Sequence, residues 1–178
     1  MSAADATDVE AMVRDEPDGR KRHLRLWLRL LSCTNLISAE IRQRLRAEFE
    51  FTLPRFDLMA QLYREPEGLR LGELSKRMMV SNANVTALVD RMIAEGFVSR
   101  EAVLEDRRAL VVRLTKAGRT AFAQIAAAHE AWLTSMFGEL DIATIESLMR
   151  ELALLKRSVI KVTTVPLGAK TEGLSRKS

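Results

Sequence analysis

Apolar residues recur at spacings of three and four along three long stretches of the chain, which is the pattern of an amphipathic helix. The first stretch covers about 19–50. The other two lie near the C-terminus, where Thr115 and Asp141 are suitable N-cap residues and Gly138 separates the two helices. The pattern predicts a mainly helical protein with long helices at both ends.

Shorter elements are predicted between the long helices. One helix begins at Thr52 and Pro54 and ends before Pro66. Its predicted inward face consists of Phe56, Met59, Ala60 and Tyr63. A minimal strand at 69–71 and a short helix over about 72–79 follow. The succession of short helix, tight turn and second helix is that of a helix-turn-helix unit.

The helix after this turn has two chemically different sides. Ser81 is a good N-cap, and Gly96 follows the expected last residue, Glu95. One side is apolar, whereas the other holds small, amide, hydroxyl and charged residues: Ser81, Asn82, Ala83, Asn84, Thr86, Ala87, Asp90 and Arg91. Small polar side chains allow a helix to approach base edges in the major groove of DNA. For Asn82, Asn84, Thr86 and Arg91, capping or plain solvation is the alternative.

Two strand-like runs, 97–100 and 110–114, flank the charged segment 101–108 and predict a β-hairpin. Asp106, Arg107 and Arg108 lie at its expected tip. An arginine on such a tip can enter a narrow minor groove, and the neighbouring carboxylate can restrict its loop. A solvated charged hairpin is the alternative interpretation. The helix pair beside the hairpin favours a reader of duplex DNA.

Charge is unevenly distributed along the chain. Residues 1–18 contain six carboxylates and one arginine, a net charge of −5, so the remainder carries +9 although the whole chain carries +4. A basic folded part favours a polyanionic partner. A single cysteine, Cys33, favours a reducing cytoplasm, and no apolar run approaches the ~18 residues that a membrane span needs. We therefore expect a cytoplasmic protein without a membrane partner.

The chemistry-bearing residues argue against an enzyme. The two histidines, His23 and His129, fall on different helices, and neither a P-loop nor a dinucleotide-binding glycine motif occurs. His129 falls on an apolar stripe, where a packed core histidine is the simpler interpretation. We predict no metal site and no cofactor.

The pattern divides the chain into four parts. Residues 1–18 and 163–178 are expected to be disordered or flexible tails. Residues 51–115 form the predicted winged helix-turn-helix domain, and 19–50 with 116–162 form a helical region. This region exposes more apolar surface than the small central domain can cover, so we expect it to form a homodimer interface.

The span from Leu71 to Thr115 resembles the MarR family of winged helix-turn-helix transcription regulators. The most specific match is Asp106-x-Arg108, five further residues, and Leu114-Thr115. It is preceded by Glu95-Gly96-Phe97-Val98 and by Val89-Asp90-Arg91 in the predicted reading helix. The order and lengths of the flanking helices fit the family over about 20–162.

The resemblance implies a triangular homodimer that binds double-stranded DNA. Each reading helix would lie in a major groove and each wing in the flanking minor groove. Arg108 would enter the minor groove, Asp106 would brace the wing and Arg107 would lie near phosphate. Asn84 and Ala87 depart from the family, where many members have a hydroxyl residue and a larger polar or basic residue. The predicted DNA-binding residues are Ser81, Asn82, Asn84, Thr86, Ala87, Arg91, Asp106, Arg107 and Arg108.

Family members are commonly switched by a small molecule bound between the dimer helices and the winged domain. Aromatic and cationic residues that would line such a cleft are Arg22, His23, Arg25, Trp27, Arg29, Phe56, Met59 and Tyr63. They suit an aromatic carboxylate or its CoA thioester as effector, with core packing and solvation as the alternative. The expected function is a ligand-released repressor.

Two other functions remain open at this stage. Some members of the family sense peroxide through a thiolate in the first helix. A redox-sensing regulator that uses Cys33 is therefore one alternative. A buried cysteine on the helix stripe is the simpler interpretation. A winged helix used for protein contacts without DNA is the other possibility.

Overall fold

The computed structural model describes residues 21–103 and 106–163, with side chains for all of these except 103 and 106–109. The predicted tails, 1–18 and 163–178, lie outside this part of the chain except for Thr163, which is the last residue of a helix. Two compact units divide the described residues, one ending at Leu133 and the other beginning at Thr134. None of the described helices is both long enough and apolar enough to cross a bilayer.

Six helices and three strands make up the described part of the chain. They are α1 (Arg22–Phe49), α2 (Leu53–Tyr63), β1 (Leu69–Arg70), α3 (Leu71–Met78), α4 (Asn82–Ala94), β2 (Val98–Val103), β3 (Asp106–Leu114), α5 (Lys116–Met136) and α6 (Ile142–Thr163). The predicted class, mainly helical with a small β-hairpin wing and long terminal helices, is confirmed.

The sheet is antiparallel with the strand order β1-β3-β2. Leu69 pairs with Val112, and Val98 pairs with Leu114. The hairpin differs from its prediction, because the strands continue beyond the expected limits until Val103 faces Asp106 across a register shift. The expected loop over 101–108 was therefore too long. Its charged residues pair as strand because an antiparallel hairpin can have a solvated face that tolerates polar side chains.

The core of the first unit lies where α2, α3, α4 and the sheet meet. Its fully buried side chains are Leu45, Leu58, Met59, Leu62, Leu74, Val85, Val89, Met92 and Val112. The predicted inward face of α2 was incomplete. Leu58 and Leu62 are buried as well, whereas Tyr63 is 44% exposed. Because α2 contacts α1, α3, α4 and β3, neighbours enclose it on more than one side.

Aromatic rings connect α2 to α5. The Phe56 ring stacks on Phe122 at 5.5 Å between centroids and lies 4.8 Å from His129. The Tyr63 ring lies 4.8 Å from Phe122. His129 packs as the predicted core histidine, although it is only partly buried, and burial lowers its pKa.

A backbone junction joins α4, β2 and the start of α5. Gly96, with a φ of +80°, ends the α4 segment, and the Thr115 hydroxyl donates to its carbonyl oxygen at 2.7 Å. The Thr115 N–H donates to the Phe97 carbonyl at 3.0 Å, while the Gly118 N–H donates to the Thr115 hydroxyl at 2.9 Å. A Cβ on Gly118 would overlap the Phe97 carbonyl oxygen. This close approach requires glycine at position 118.

The second unit contains the end of α5 and all of α6. The Asp141 carboxylate caps α6 by accepting from the Thr144 N–H at 2.7 Å, and hydrogen bonding to Thr144 lowers the pKa of Asp141. No described residue of α6 is buried. Its large exposed apolar side chains are Ile142, Leu148, Met149, Leu152, Leu154, Val159, Ile160 and Val162. An apolar helix this exposed requires a partner surface.

Gly118→Ala is expected to destabilise the protein by about 1–3 kcal/mol, because the added methyl group must displace the backbone at Phe97. Gly72→Ala is the matched control, since a Cβ there meets nothing within 4 Å and helix propensity favours alanine. Urea unfolding at one fixed protein concentration measures both effects. Equal midpoints for wild type and Gly118→Ala would contradict the proposed close approach.

Candidate nucleic-acid interface

The start of α4 is organised by the turn that precedes it. Ser81 is the N-cap, as predicted, and its hydroxyl accepts from the Asn84 N–H at 3.3 Å. Val85, Val89 and Met92 are fully buried and hold the opposite side of the helix in the core. Packing on one side therefore determines which residues α4 presents outward.

Most of the predicted reading residues are exposed. Asn82, Asn84, Ala87 and Arg91 are all open to solvent, whereas Thr86 is partly buried. The Thr86 hydroxyl donates to the Asn82 carbonyl at 2.9 Å within the helix, so its donor is already used. Of the predicted set on α4, Thr86 is the least available for contacts outside the protein.

A groove of about 330 Å³ runs along the exposed side of α4. Its walls combine apolar side chains with one amide and one guanidinium. The lining residues are Pro54, Met78, Val80, Asn84, Ala87, Leu88 and Arg91. The structure thus brings Asn84, Ala87 and Arg91 together and adds Val80 from the turn.

The C-terminal end of α4 is fixed by an arginine from α2. The Arg55 guanidinium forms an ion pair with Glu95 and lies over the Phe51 ring at 3.9 Å. Its side chain is only 13% exposed. Nothing in the sequence indicated this contact, because Arg55 and Glu95 are 40 residues apart. Sequence reasoning missed Arg55 as a positioning residue for α4.

A second ion pair joins α4 to the hairpin. Arg100 on β2 donates to the Asp90 carboxylate at 2.8 Å. Asp90 was predicted on the exposed polar side of α4, and it is exposed, but this pairing neutralises its charge locally. Arg100 thereby screens a carboxylate that would otherwise repel a phosphate backbone.

Charged residues also brace the hairpin at its base. Arg113 on β3 donates to Glu67 at 3.2 Å and lies 3.9 Å from Glu101 on β2. The predicted wing residues Asp106, Arg107 and Arg108 fall in the first part of β3. Their side chains lie outside the described part of the structure, so the predicted bracing by Asp106 stays a prediction.

The arginines near α4 differ in whether a neighbouring carboxylate neutralises their charge. Arg77 on α3 donates to Glu65 at 2.8 Å and to Glu73 at 2.6 Å. Arg91 is exposed and has no ion-pair partner among the residues whose side chains the structure describes. A free exposed guanidinium can pair with phosphate without first giving up a protein carboxylate.

The predicted ligand-binding residues separate into exposed and buried groups. Arg22, His23, Trp27 and Arg29 on α1 are exposed, Trp27 by 57%, and Arg25 is partly exposed. A groove of about 260 Å³ is lined by Arg22, Arg25, Leu26 and Arg29. On α2, Phe56 and Met59 are buried in the core. Trp27 makes no ring contact with Phe56 or Tyr63 within the described structure.

Cys33 is exposed on α1, so the interpretation as a buried core cysteine was wrong for the single chain. Its neighbour Thr34 is exposed as well, whereas Ser32 is only partly exposed. Within the part of the chain that the structure describes, no three His, Cys, Asp or Glu residues approach closely enough to hold a metal ion.

Comparison with known proteins places the chain among transcription regulators. Residues 51–110 match the model of the MarR family. The transcriptional activatory protein BadR of Rhodopseudomonas palustris is 33% identical over 97 residues, which cover 53% of this chain and 55% of BadR. The chain thus aligns with about half of that relative's length. The repressor YetL of Bacillus subtilis is 39% identical over 57 residues, 32% of this chain and 34% of YetL.

Solved structures extend the similarity to most of the fold. A MarR family transcriptional regulator from Silicibacter pomeroyi is 31% identical with a TM-score of 0.66, covering 83% of this chain and 99% of that one. The regulator BldR of Sulfolobus solfataricus has a TM-score of 0.69 at 22% identity, covering 79% of this chain and 99% of that one.

Ser81→Ala is expected to lower the free energy of unfolding by about 0.5–2 kcal/mol, because the Asn84 N–H loses its acceptor. Ser81→Asp is the matched control, since aspartate restores an N-cap acceptor and should retain wild-type stability. Urea unfolding at a fixed protein concentration compares the three proteins. If both variants match wild type, the hydroxyl does not contribute as a cap.

Proposed function

The chain belongs to the MarR family of DNA-binding transcription regulators, and we propose that it binds a near-palindromic duplex operator as a homodimer and represses transcription from it. Membership in a family of regulators confirms the prediction that the chain is not an enzyme. The observation that carries the proposal is α4, which is capped, packed on its apolar side, and open along its polar side.

Proteins of the same fold support duplex DNA as the partner. FabT of Streptococcus pneumoniae, with a TM-score of 0.68 at 20% identity, was solved in complex with DNA. MepR of S. aureus, with a TM-score of 0.64 at 16% identity, was also solved as a DNA complex. On this basis α4 enters a major groove with Ser81, Asn82, Asn84, Ala87 and Arg91 at its surface, and Thr86 contributes mainly to the helix itself.

The wing completes the proposed contact. Arg108 enters the adjacent minor groove, Arg107 lies near phosphate, and Asp106 restricts the hairpin. Support comes from their position at the end of a hairpin whose base is braced by Arg113. Strand pairing close to the turn reduces the entropy lost when a wing inserts into DNA.

Homodimerisation is proposed because a two-fold axis places two reading helices on successive turns of DNA. The exposed apolar side chains of α6 are one surface that a second copy would cover. The start of α1 offers another, with Leu24 and Leu31 exposed. Both helices belong to the predicted dimerisation region, 19–50 and 116–162.

Repression is the proposed sign of regulation, since occupation of an operator that overlaps a promoter blocks polymerase without any further contact. BadR is named as an activator and YetL as a repressor, so relatives of both kinds exist. Transcription in vitro from the promoter beside the coding sequence distinguishes repression from activation, because added protein would lower the transcript yield in the first case and raise it in the second. The proposed compartment is the cytoplasm, where bacterial chromosomal DNA is accessible.

A small-molecule effector is the second part of the proposal. Three of the four residues that line one groove on α1 are arginines, which suit an anionic ligand. The exposed Trp27 ring suits an aromatic ligand. CouR of Rhodococcus jostii, which has the same fold with a TM-score of 0.64 at 16% identity, was solved with p-coumaroyl-CoA. We therefore propose an aromatic carboxylate or its CoA thioester, bound by Arg22, Arg25, Trp27 and Arg29 with Tyr63.

Removing an arginine that contacts DNA should reduce the salt dependence of binding. For both Arg91→Ala and Arg108→Ala, the slope of log Kd against log salt concentration is expected to fall by about 1, because one positive charge held close to the phosphates is lost. Arg77→Ala is the matched control, since Arg77 is already paired with Glu65 and Glu73. Fluorescence anisotropy on the adjacent promoter region at several salt concentrations measures the slopes.

The same titration separates this function from its alternative. Unchanged slopes for Arg91→Ala and Arg108→Ala would show that these arginines do not contact DNA. The absence of any salt-dependent binding by wild type would instead support a winged helix used for protein contacts.

An aromatic acyl-CoA is expected to raise the Tm of the protein and to release DNA, and Arg25→Ala or Trp27→Ala should weaken both responses. Arg42→Ala is the control, because it lies on the same helix about 25 Å further along. Thermal shift and anisotropy measure the two responses. Lack of both with aromatic acids and their thioesters would exclude this effector class. Release by peroxide that Cys33→Ser abolishes would identify the redox-sensing alternative.

A further inference from the structure

The residue that ends α3 is unusual for its position. Met79 adopts the left-handed conformation, with φ +55° and ψ +37°, and glycine is the residue most often found there. Its N–H donates to the Lys76 carbonyl at 3.3 Å, and the Val80 N–H donates to the Ser75 carbonyl at 3.2 Å. The backbone of this turn is therefore well determined although its residue type is unfavourable.

The Met79 side chain is also the most exposed large apolar side chain in the described part of the molecule, at 93%. Val80, the next residue, is 40% exposed. An exposed methionine in a left-handed turn contributes little to folding, since it neither buries surface nor suits its backbone. Such a residue is better explained by contact with a binding partner.

The turn lies directly before the N-cap of α4. Val80 lines the same groove as Asn84, Ala87 and Arg91. We call Met79, Val80 and Ala87 the apolar patch. It adjoins an exposed amide and a free guanidinium, whereas the apolar surfaces offered to a second copy lie on α1 and α6. The positive charge beside it favours nucleic acid over an apolar protein surface as the occupant.

One chemical group in the major groove of DNA is apolar, the 5-methyl group of thymine. We propose that the apolar patch contacts a thymine methyl group beside the base pair that Asn84 reads. The Asn84 amide suits the N6 and N7 edge of adenine. Val80 and Ala87 of the patch line the same groove as Asn84, and Met79 directly precedes Val80 in the turn. This inference rests on the proposed function and adds the base feature that is recognised.

The test uses the full chain and a duplex recovered from a random-sequence pool by binding selection. Each thymine of that duplex is replaced in turn by deoxyuridine, which removes only the 5-methyl group. Replacing one particular thymine in each half-site is expected to lower the affinity of wild type about fourfold. This factor corresponds to the burial of one methyl-sized group. Met79→Gly and Met79→Ala should bind the thymine and uracil duplexes equally at that site.

Stability measurements separate contact from structure. Met79→Gly should leave the urea midpoint unchanged or raise it, because glycine favours the backbone conformation at this position. A residue with a structural role would lower the midpoint on replacement. Leu110→Ala is the control, since Leu110 is also an exposed apolar side chain but lies on β3, where the proposed contact is to the minor groove. It should retain wild-type discrimination between thymine and uracil.

The outcomes keep the two proposals apart. Selection without any sequence preference, or no binding to duplex DNA, would overturn the proposed function itself. Sequence-specific binding that is unaffected by uracil at every position, or a selected site without thymine, would overturn only the methyl contact. If Met79→Gly lost the same factor of affinity for the thymine duplex and for the uracil duplex, the discrimination between them would not depend on Met79. That result would likewise overturn the methyl contact.

Discussion

The backbone junction at Gly96 and Phe97 is the constraint on which the rest of the first unit depends. Both carbonyls accept hydrogen bonds from Thr115 at the start of α5, and Gly118 lies against Phe97 without room for a side chain. Arg55 holds Glu95 immediately before the junction. The reading helix, the wing and the long helix α5 therefore meet within a few residues. A shift of α5 at this point cannot leave α4 and β2 unaffected, because interiors this closely packed transmit displacement.

Ion pairs on the described surface also hold elements in position. Arg55, Arg77, Arg100 and Arg113 are each held by carboxylates that tie one element to another. The pairs of Arg77, Arg100 and Arg113, which are partly exposed, contribute little to stability, at most about 1 kcal/mol each. Their value lies in orientation, since they fix α4 and the hairpin while Arg91 stays available. Of the two left-handed non-glycine residues in the described chain, Glu50 and Met79, the second lies where the proposed contact with DNA is made.

Local signals predicted most elements because their physics is local. Ser81, Thr115 and Asp141 were identified as N-caps from residue type alone, and each forms the expected hydrogen bond. Helical periodicity located the long helices for the same reason. The hairpin was predicted too short, since its charged residues give no apolar alternation that would mark a strand. The predicted face of α2 missed Leu58 and Leu62, because periodicity describes a helix with one buried side and α2 has more.

Sequence alone determined the order of elements, the two-sided character of α4 and the family, because these depend on residue type and spacing along the chain. Tertiary structure decided which of the polar residues are available. It paired Asp90 with Arg100, directed the Thr86 hydroxyl to the Asn82 carbonyl, and exposed Cys33. It also placed Arg55 on Glu95 and Val80 beside Asn84 and Ala87. The pairings across elements join residues far apart in the chain, and their geometry exists only after the elements pack.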